Sequence, residues 1–204
     1  MEDEELLAHL TKSAKENFEL FTNSSKEKRE RWVVEEFLSI SRIRFAKNEL
    51  HSPEQESKVD VYFRDAKFQI KEITDPNFKR GKFYKDEYHS YKNASSINGV
   101  SFVSEGHDSP KITNMYDLVL EQAKKLADDA RYKGLKGKLD LMIYVTRPRS
   151  SLIQSSEING NDYLSMGWRS VSCLNSKQAV VLFSSKDAPD FLKNISGKIN
   201  KNKC

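Results

Sequence analysis

Val59–Asp60–Val61–Tyr62–Phe63–Arg64–Asp65–Ala66–Lys67–Phe68–Gln69–Ile70–Lys71–Glu72–Ile73 reads as two short strands around a tight turn. Val59, Val61, Phe63 and then Phe68 and Ile70 are β-formers alternating with polar residues, and Arg64–Asp65–Ala66–Lys67 is polar and turn-compatible. Period-two geometry puts Gln69 and Lys71 on one face of the second strand and Phe68 and Ile70 on the other. Asp60 interrupts the first strand where an apolar residue would be easier to bury. An acid, an amide and an amine can therefore meet at one end of a hairpin whose remainder forms core. Burying them unpaired would be costly, so they pair with each other or hold something.

Upstream of the hairpin, Leu7, Leu10, Ala14, Phe18 and Phe21 recur at helical spacing from about Asp3 to Phe21, after an acidic first turn. A break at Thr22–Ser25 follows, where Ser24 and Glu27 make a capping box for a second helix running to about Ser41. On that helix Val33, Val34, Phe37, Leu38 and Ile40 form one apolar face. Glu30 falls within the arc of that face, Glu36 lies near its margin, and Glu35 points roughly away. Ile43 and Phe45 alternate with Arg42 and Arg44, which allows a first short strand. His51–Ser57 reads as loop around Pro53, with Glu54 and Glu56 in it.

Downstream, Phe78–Lys79–Arg80–Gly81–Lys82–Phe83–Tyr84–Lys85 reads as a loop with four cations, three aromatics and no acid. Ammonium and guanidinium groups neutralise phosphates and rings stack on bases, so Lys79, Arg80, Lys82, Tyr84 and Lys85 are candidate nucleic-acid contacts. The competing reading is a surface loop whose rings tuck into the core. Ile112–Tyr132 carries the spacing of a helix ended by Gly134, with Gln122 and Lys125 on or beside its buried face. Leu139–Val145 is a near-continuous apolar run with one acid, Asp140, and fits a strand buried on both faces. Two further strands are expected over Trp168–Leu174 and Ala179–Phe183. Pro189 opens a terminal helix, and the basic tail from Lys198 is expected to fray.

At 204 residues, with 31% charged and 37% apolar, the chain supports one domain with a sizeable core: an N-terminal helix to residue 23, a core over 24–148, and C-terminal strands and a helix over 149–204. A net charge of +4 and a pI near 8.9 suit a polyanionic partner without selecting one. Two cysteines, Cys173 and Cys204, supply neither a disulfide framework nor metal-ligand spacing, and the acidic start is unlike a signal peptide. With no apolar run near the ~20 residues that span a bilayer, a cytoplasmic protein is expected.

Asp60 followed by Gln69–Ile70–Lys71 resembles the active-site signature of the PD-(D/E)XK nuclease superfamily, in the variant with Gln in place of Glu. The whole chain is also similar to DUF1780, a small bacterial family of uncharacterised proteins assigned as endonucleases. The resemblance spans roughly Ser25 to Val145. It implies an α/β restriction-endonuclease-like αβββαβ core, a central mixed sheet flanked by helices. It also implies a metal-dependent nuclease acting on nucleic acid, with DNA the expected substrate. Asp60 and the Gln69 carbonyl would hold Mg²⁺ or Mn²⁺, with Glu30 from the preceding helix (Glu36 as rival), and Lys71 would position the attacking water. Many relatives of this kind act as dimers, so a homodimer is allowed. Two other classes fit the same residues. One is a nucleic-acid-binding protein that kept the fold and lost catalysis. The other is a protein-interaction domain in which Asp60 and Lys71 are only a buried ion pair.

Overall fold

A computed structural model describes residues 3–22, 25–53, 57–76, 79–101 and 111–202. Ser24 of the expected capping box, Glu54, Glu56, Phe78 and Cys204 lie outside the described residues. Six helices are described: α1 (Asp3–Leu20), α2 (Lys26–Ile40), α3 (Arg80–Asn93), α4 (Met115–Ala127), α5 (Asn161–Leu164) and α6 (Asp190–Lys193). The strands are β1 (Leu50–His51), β2 (Val61–Phe63), β3 (Ala66–Ile73), β4 (Thr113–Asn114), β5 (Asp140–Val145), β6 (Ser150–Ser151), β7 (Ser170–Leu174), β8 (Gln178–Ser184) and β9 (Ile199–Lys201). The chain divides into two compact units: Met1–Arg29 with Asp75–Ser109, and Glu30–Thr74 with Pro110–Cys204. None of the described helices is long and apolar enough to cross a membrane.

The larger unit is built on a seven-stranded sheet in the order β1-β2-β3-β5-β7-β8-β9. β3, β5 and β7 run parallel, and the outer pairs are antiparallel. The hairpin forms where the alternation places it. Its turn narrows to Arg64–Asp65, with Arg64 at φ 52°. That strained position is held from two sides, by bonds from the guanidinium to the Arg44 carbonyl (2.8 Å) and the Glu49 carboxylate (3.3 Å).

Two apolar layers, one on each face, explain why the sheet is stable. On one face Phe68, Ile70 and Met142 pack with Val33, Val34, Phe37 and Leu38 of α2. On the other, Leu141, Ile143, Val171 and Cys173 pack with Val119, Ala123 and Leu126 of α4. Each buried Val, Leu, Ile, Phe or Met among them contributes about 1.5–3 kcal/mol, which ties both helices to the sheet. The protein is thus a mixed α/β fold with a central mixed sheet flanked by helices. β5 is buried on both faces as its composition requires. Its one acid, Asp140, is fully buried and fully engaged: the Arg169 guanidinium clamps it, Ser170 Oγ donates to it at 2.8 Å and the Lys67 amide at 2.8 Å. This ion pair joins the ends of β3, β5 and β7.

Several boundaries depart from the sequence reading, each for a local reason. No strand forms at Ile43 and Phe45. Arg42 closes α2 at φ 58°, the Ile43 amide folds back to the Leu38 carbonyl at 2.9 Å, and the first strand comes later, at Leu50. α4 begins when the Asn114 side chain accepts from the Tyr116 amide at 2.7 Å. It ends at Ala127, short of Tyr132, because Asp129 caps a separate 3₁₀ turn by accepting from the Arg131 amide at 2.9 Å. The tail expected to fray instead adds β9 to the sheet edge, where Ile199 pairs with Val180 and packs on the core.

In the smaller unit α1 lies along α3 through stacked rings. Phe21 and Tyr84 stand 4.7 Å apart at 12°, and Phe18 and Tyr88 5.9 Å apart at 8°. The stretch expected to be a loop over 78–85 is therefore helical from Arg80 onward. Tyr84 and Tyr88 sit four residues apart, which brings both rings onto the α1 side of a helix.

Candidate active site

Extending the β2–β3 register by one residue beyond Val61↔Phe68 sets Asp60 opposite Gln69. The Asp60 amide donates to the Phe68 carbonyl at 2.8 Å. Its carboxylate accepts the Ile70 amide at 2.7 Å and the Gln69 side-chain amide. Both side chains are buried, with Asp60 9% and Gln69 3% exposed, so the acid and the amide meet within the fold and satisfy each other. Gln69 also reaches the Ile70 carbonyl, at 3.4 Å. Two residues on, the alternation turns half-buried Lys71 to the Gln69 face, the face that α4 covers.

Asp129, just beyond α4, is the residue the sequence reading missed. Arg131 grips it with Nη2 at 2.6 Å and Nε at 2.9 Å, and also through its backbone amide. These bonds, with a smaller contribution from the charge of Lys71, pull the Asp129 carboxyl down to about 2. Lys71 therefore has an acid within electrostatic reach. The available signal was weak: an Asp directly after the helix that covers the Gln69 face.

The helix acids separate by position. Glu30 is half-buried and engaged with neighbours. It stands on a helix whose packed side meets Phe68 and Ile70, the face of β3 opposite to Gln69 and Lys71. Glu36 lines a groove with Ser39, Arg42, Lys201 and Asn202, beside β9 and four strands from β3. Glu35, expected to see solvent, is paired with Lys47 at 3.5 Å and its side chain is only 23% exposed. Among the described residues, no group of three or more His, Cys, Asp or Glu stands together to hold a metal ion. A metal here would rest on the oxygen donors of Asp60 and Gln69, with water and phosphate completing its shell. That set suits a hard cation such as Mg²⁺, which commonly takes one or two protein carboxylates.

The basic-aromatic candidates also separate. Lys79, Lys82 and Lys85 are exposed, whereas Arg80 and Tyr84 are half-buried against Phe21, with the Arg80 guanidinium 4.7 Å from its ring.

A mixed sheet with helices on both faces, carrying an acid and an amide joined across neighbouring strands and a lysine on their face, defines an α/β protein with a polar centre on its hairpin. The chain belongs, over residues 2–203, to the family described as "Putative endonuclease, protein of unknown function (DUF1780)". It is similar to a solved structure from Pseudomonas aeruginosa strain PAO1, that of PA4535, described as a protein of unknown function of the monooxygenase superfamily. The TM-score is 0.61 at 23% identity, covering 100% of this chain and 98% of that one, a likeness of fold. No curated protein matches the chain.

Proposed function

We propose that the protein is a metal-dependent nuclease that hydrolyses phosphodiester bonds in nucleic acid, DNA first, at the Asp60–Gln69–Lys71 end of the β2–β3 hairpin. The observation that carries this reading is the meeting of the Asp60 carboxylate and the Gln69 side chain across adjacent strands, on the face of Lys71. Two further findings support it. The family is described as "Putative endonuclease", and α2, β1, β2, β3, α4 and β5 follow in the αβββαβ order of the PD-(D/E)XK superfamily once α3 and β4, which stand between β3 and α4, are set aside.

Asp60 is held in one orientation by the Ile70 amide, so its carboxylate is preorganised and not free to rotate. Gln69 adds a carbonyl oxygen without a second negative charge, which leaves room for a phosphate to approach. Lys71 presents an ammonium to the attacking water and to the charge that builds on the pentavalent phosphorus. When bound, Mg²⁺ or Mn²⁺ would supply Lewis-acid polarisation of the phosphate, held by Asp60 and the Gln69 carbonyl, with Glu30 through water. Lys79, Lys82 and Lys85 are the candidate substrate contacts.

A second reading, a non-cleaving nucleic-acid binder of the same fold, draws on two specific observations. One Asp60 oxygen already accepts two hydrogen bonds, and no three-ligand cluster stands among the described residues. Lys71→Ala separates the readings. The nuclease is expected to lose about 10²–10³-fold in cutting rate in Mg²⁺ while binding the same DNA in EDTA as tightly as the unaltered chain. Binding by both chains, with cutting by neither in any divalent metal, would select the non-cleaving reading.

A further inference from the structure

The basic-aromatic stretch sorts itself when it becomes a helix. On a wheel of 100° per residue, Tyr84, Tyr88, Tyr91 and Arg80 share one side of α3, and the rings of Tyr84 and Tyr88 are stacked on Phe21, just beyond α1, and Phe18 of α1. Lys82, Lys85, His89, Lys92 and Asn93 share the other side, and all five are exposed. No acid falls within that exposed arc, and Asp86 stands half-buried at its margin. Neither Lys82 nor Lys85 has an ion-pair partner among the described residues, and Lys92 rests its ammonium 5.7 Å from the Tyr88 ring. The helix puts His89 in line with three lysines.

We propose that this outer face of α3, from Lys82 to Lys92, tracks the sugar-phosphate backbone of double-helical nucleic acid and makes no stacking contact with bases. The inference rests on the nucleic-acid reading above and narrows it to a duplex held through its phosphates. Charge complementarity identifies the occupant. A row of cations about 15 Å long, from the helical rise between Lys82 and Lys92, matches the axial length of about four phosphates of one strand. The rings decide against a single strand: proteins that grip unpaired bases offer exposed aromatic platforms, and here Tyr84 and Tyr88 are spent on α1. Lys82, Lys85 and Lys92 meeting phosphates carry no base readout, so binding through those contacts is indifferent to sequence.

The test compares the full-length chain with a Lys82→Ala, Lys85→Ala, Lys92→Ala triple variant. Fluorescence anisotropy follows a short labelled duplex and its single strand in EDTA over about 50–200 mM salt. Alanine at exposed helix positions preserves the helix, which far-UV circular dichroism checks. The triple variant is expected to bind duplex more weakly. Its plot of log K against log salt should be shallower by about 2.7, from three contacts at about 0.9 each, and equally so for two unrelated sequences. An unchanged slope, a loss confined to one sequence, or tighter binding of the single strand than of the duplex overturns the proposal. Because EDTA removes cutting from the measurement, a chain that never cuts DNA defeats the nuclease reading and leaves this result standing.

Discussion

Asp60 occupies the point where the β2–β3 ladder would otherwise need another backbone acceptor, and its carboxylate takes the Ile70 amide there. Truncating it to Ala would leave that amide and the Gln69 side chain without their acceptor, at about 1–3 kcal/mol for each orphaned group. Asn keeps an acceptor oxygen of the same shape and is the cleaner variant. The hairpin residues were legible because alternation fixes which side chains share a face. Asp129 was not, since nothing in a helix-like run after Ile112 announced that the chain would break at Asp128. The same acid gives a pH prediction. Its folded value, about 2, lies below the ordinary Asp value, so its contribution to stability is fully present above about 4 and is lost as pH falls through about 2. Asp129→Asn should therefore lose less stability than the unaltered chain between about pH 4 and pH 2. Urea titrations at both ends of that window check it, and parallel losses would contradict it.

At the scale of elements, the helices and buried strands were readable from apolar spacing, and α2 and β5 stand within a residue of where that spacing sets them. Three segments misread for want of tertiary information. Ile43 and Phe45 have strand-like alternation but follow a left-handed Arg42. The 78–85 stretch has the composition of a contact loop but is helical from Arg80 onward, with Tyr84 stacked on Phe21 just beyond α1. The C-terminal tail is polar except for Ile199, which is enough to seat an edge strand. The face that α2 covers bears on Glu30. Helical periodicity showed that Glu30 points with Val33 and Val34 toward the sheet, but not toward which face of β3. With α2 over Phe68 and Ile70, Glu30 stands on the side of the sheet opposite to Gln69 and Lys71, and the proposal gives it an outer role only. Glu30→Gln is accordingly expected to slow Mg²⁺-dependent cutting by about 10- to 100-fold, as loss of an outer-shell partner does, with thermal stability retained. A loss as complete as that of Asp60→Asn would make Glu30 a direct ligand instead.

Across the whole molecule, composition and length set the class, and the order of elements set the sheet. A helix before three antiparallel-linked strands, then a later helix and a parallel strand, points to a mixed sheet with helices on both faces, although α3 and β4 stand in the crossover between β3 and β5. Of the three seams between the two units, Ser109/Pro110 closes a Ser- and Gly-containing stretch, whereas Arg29/Glu30 and Thr74/Asp75 carry no such composition. The first boundary even falls inside α2. The buried Asp140–Arg169 pair was equally hidden, since its partners lie 29 residues apart and meet only through the β5–β7 pairing. The central claim concerns the hairpin, and one measurement addresses it most directly: conversion of supercoiled duplex DNA by the full-length chain in Mg²⁺, beside Asp60→Asn and beside EDTA. The account predicts cutting in Mg²⁺, none in EDTA, and a loss of at least about 100-fold in a folded Asp60→Asn chain, whose carboxylate charge is gone while its hydrogen bond to Ile70 is kept. Undiminished cutting by Asp60→Asn, or full cutting in EDTA, would contradict it.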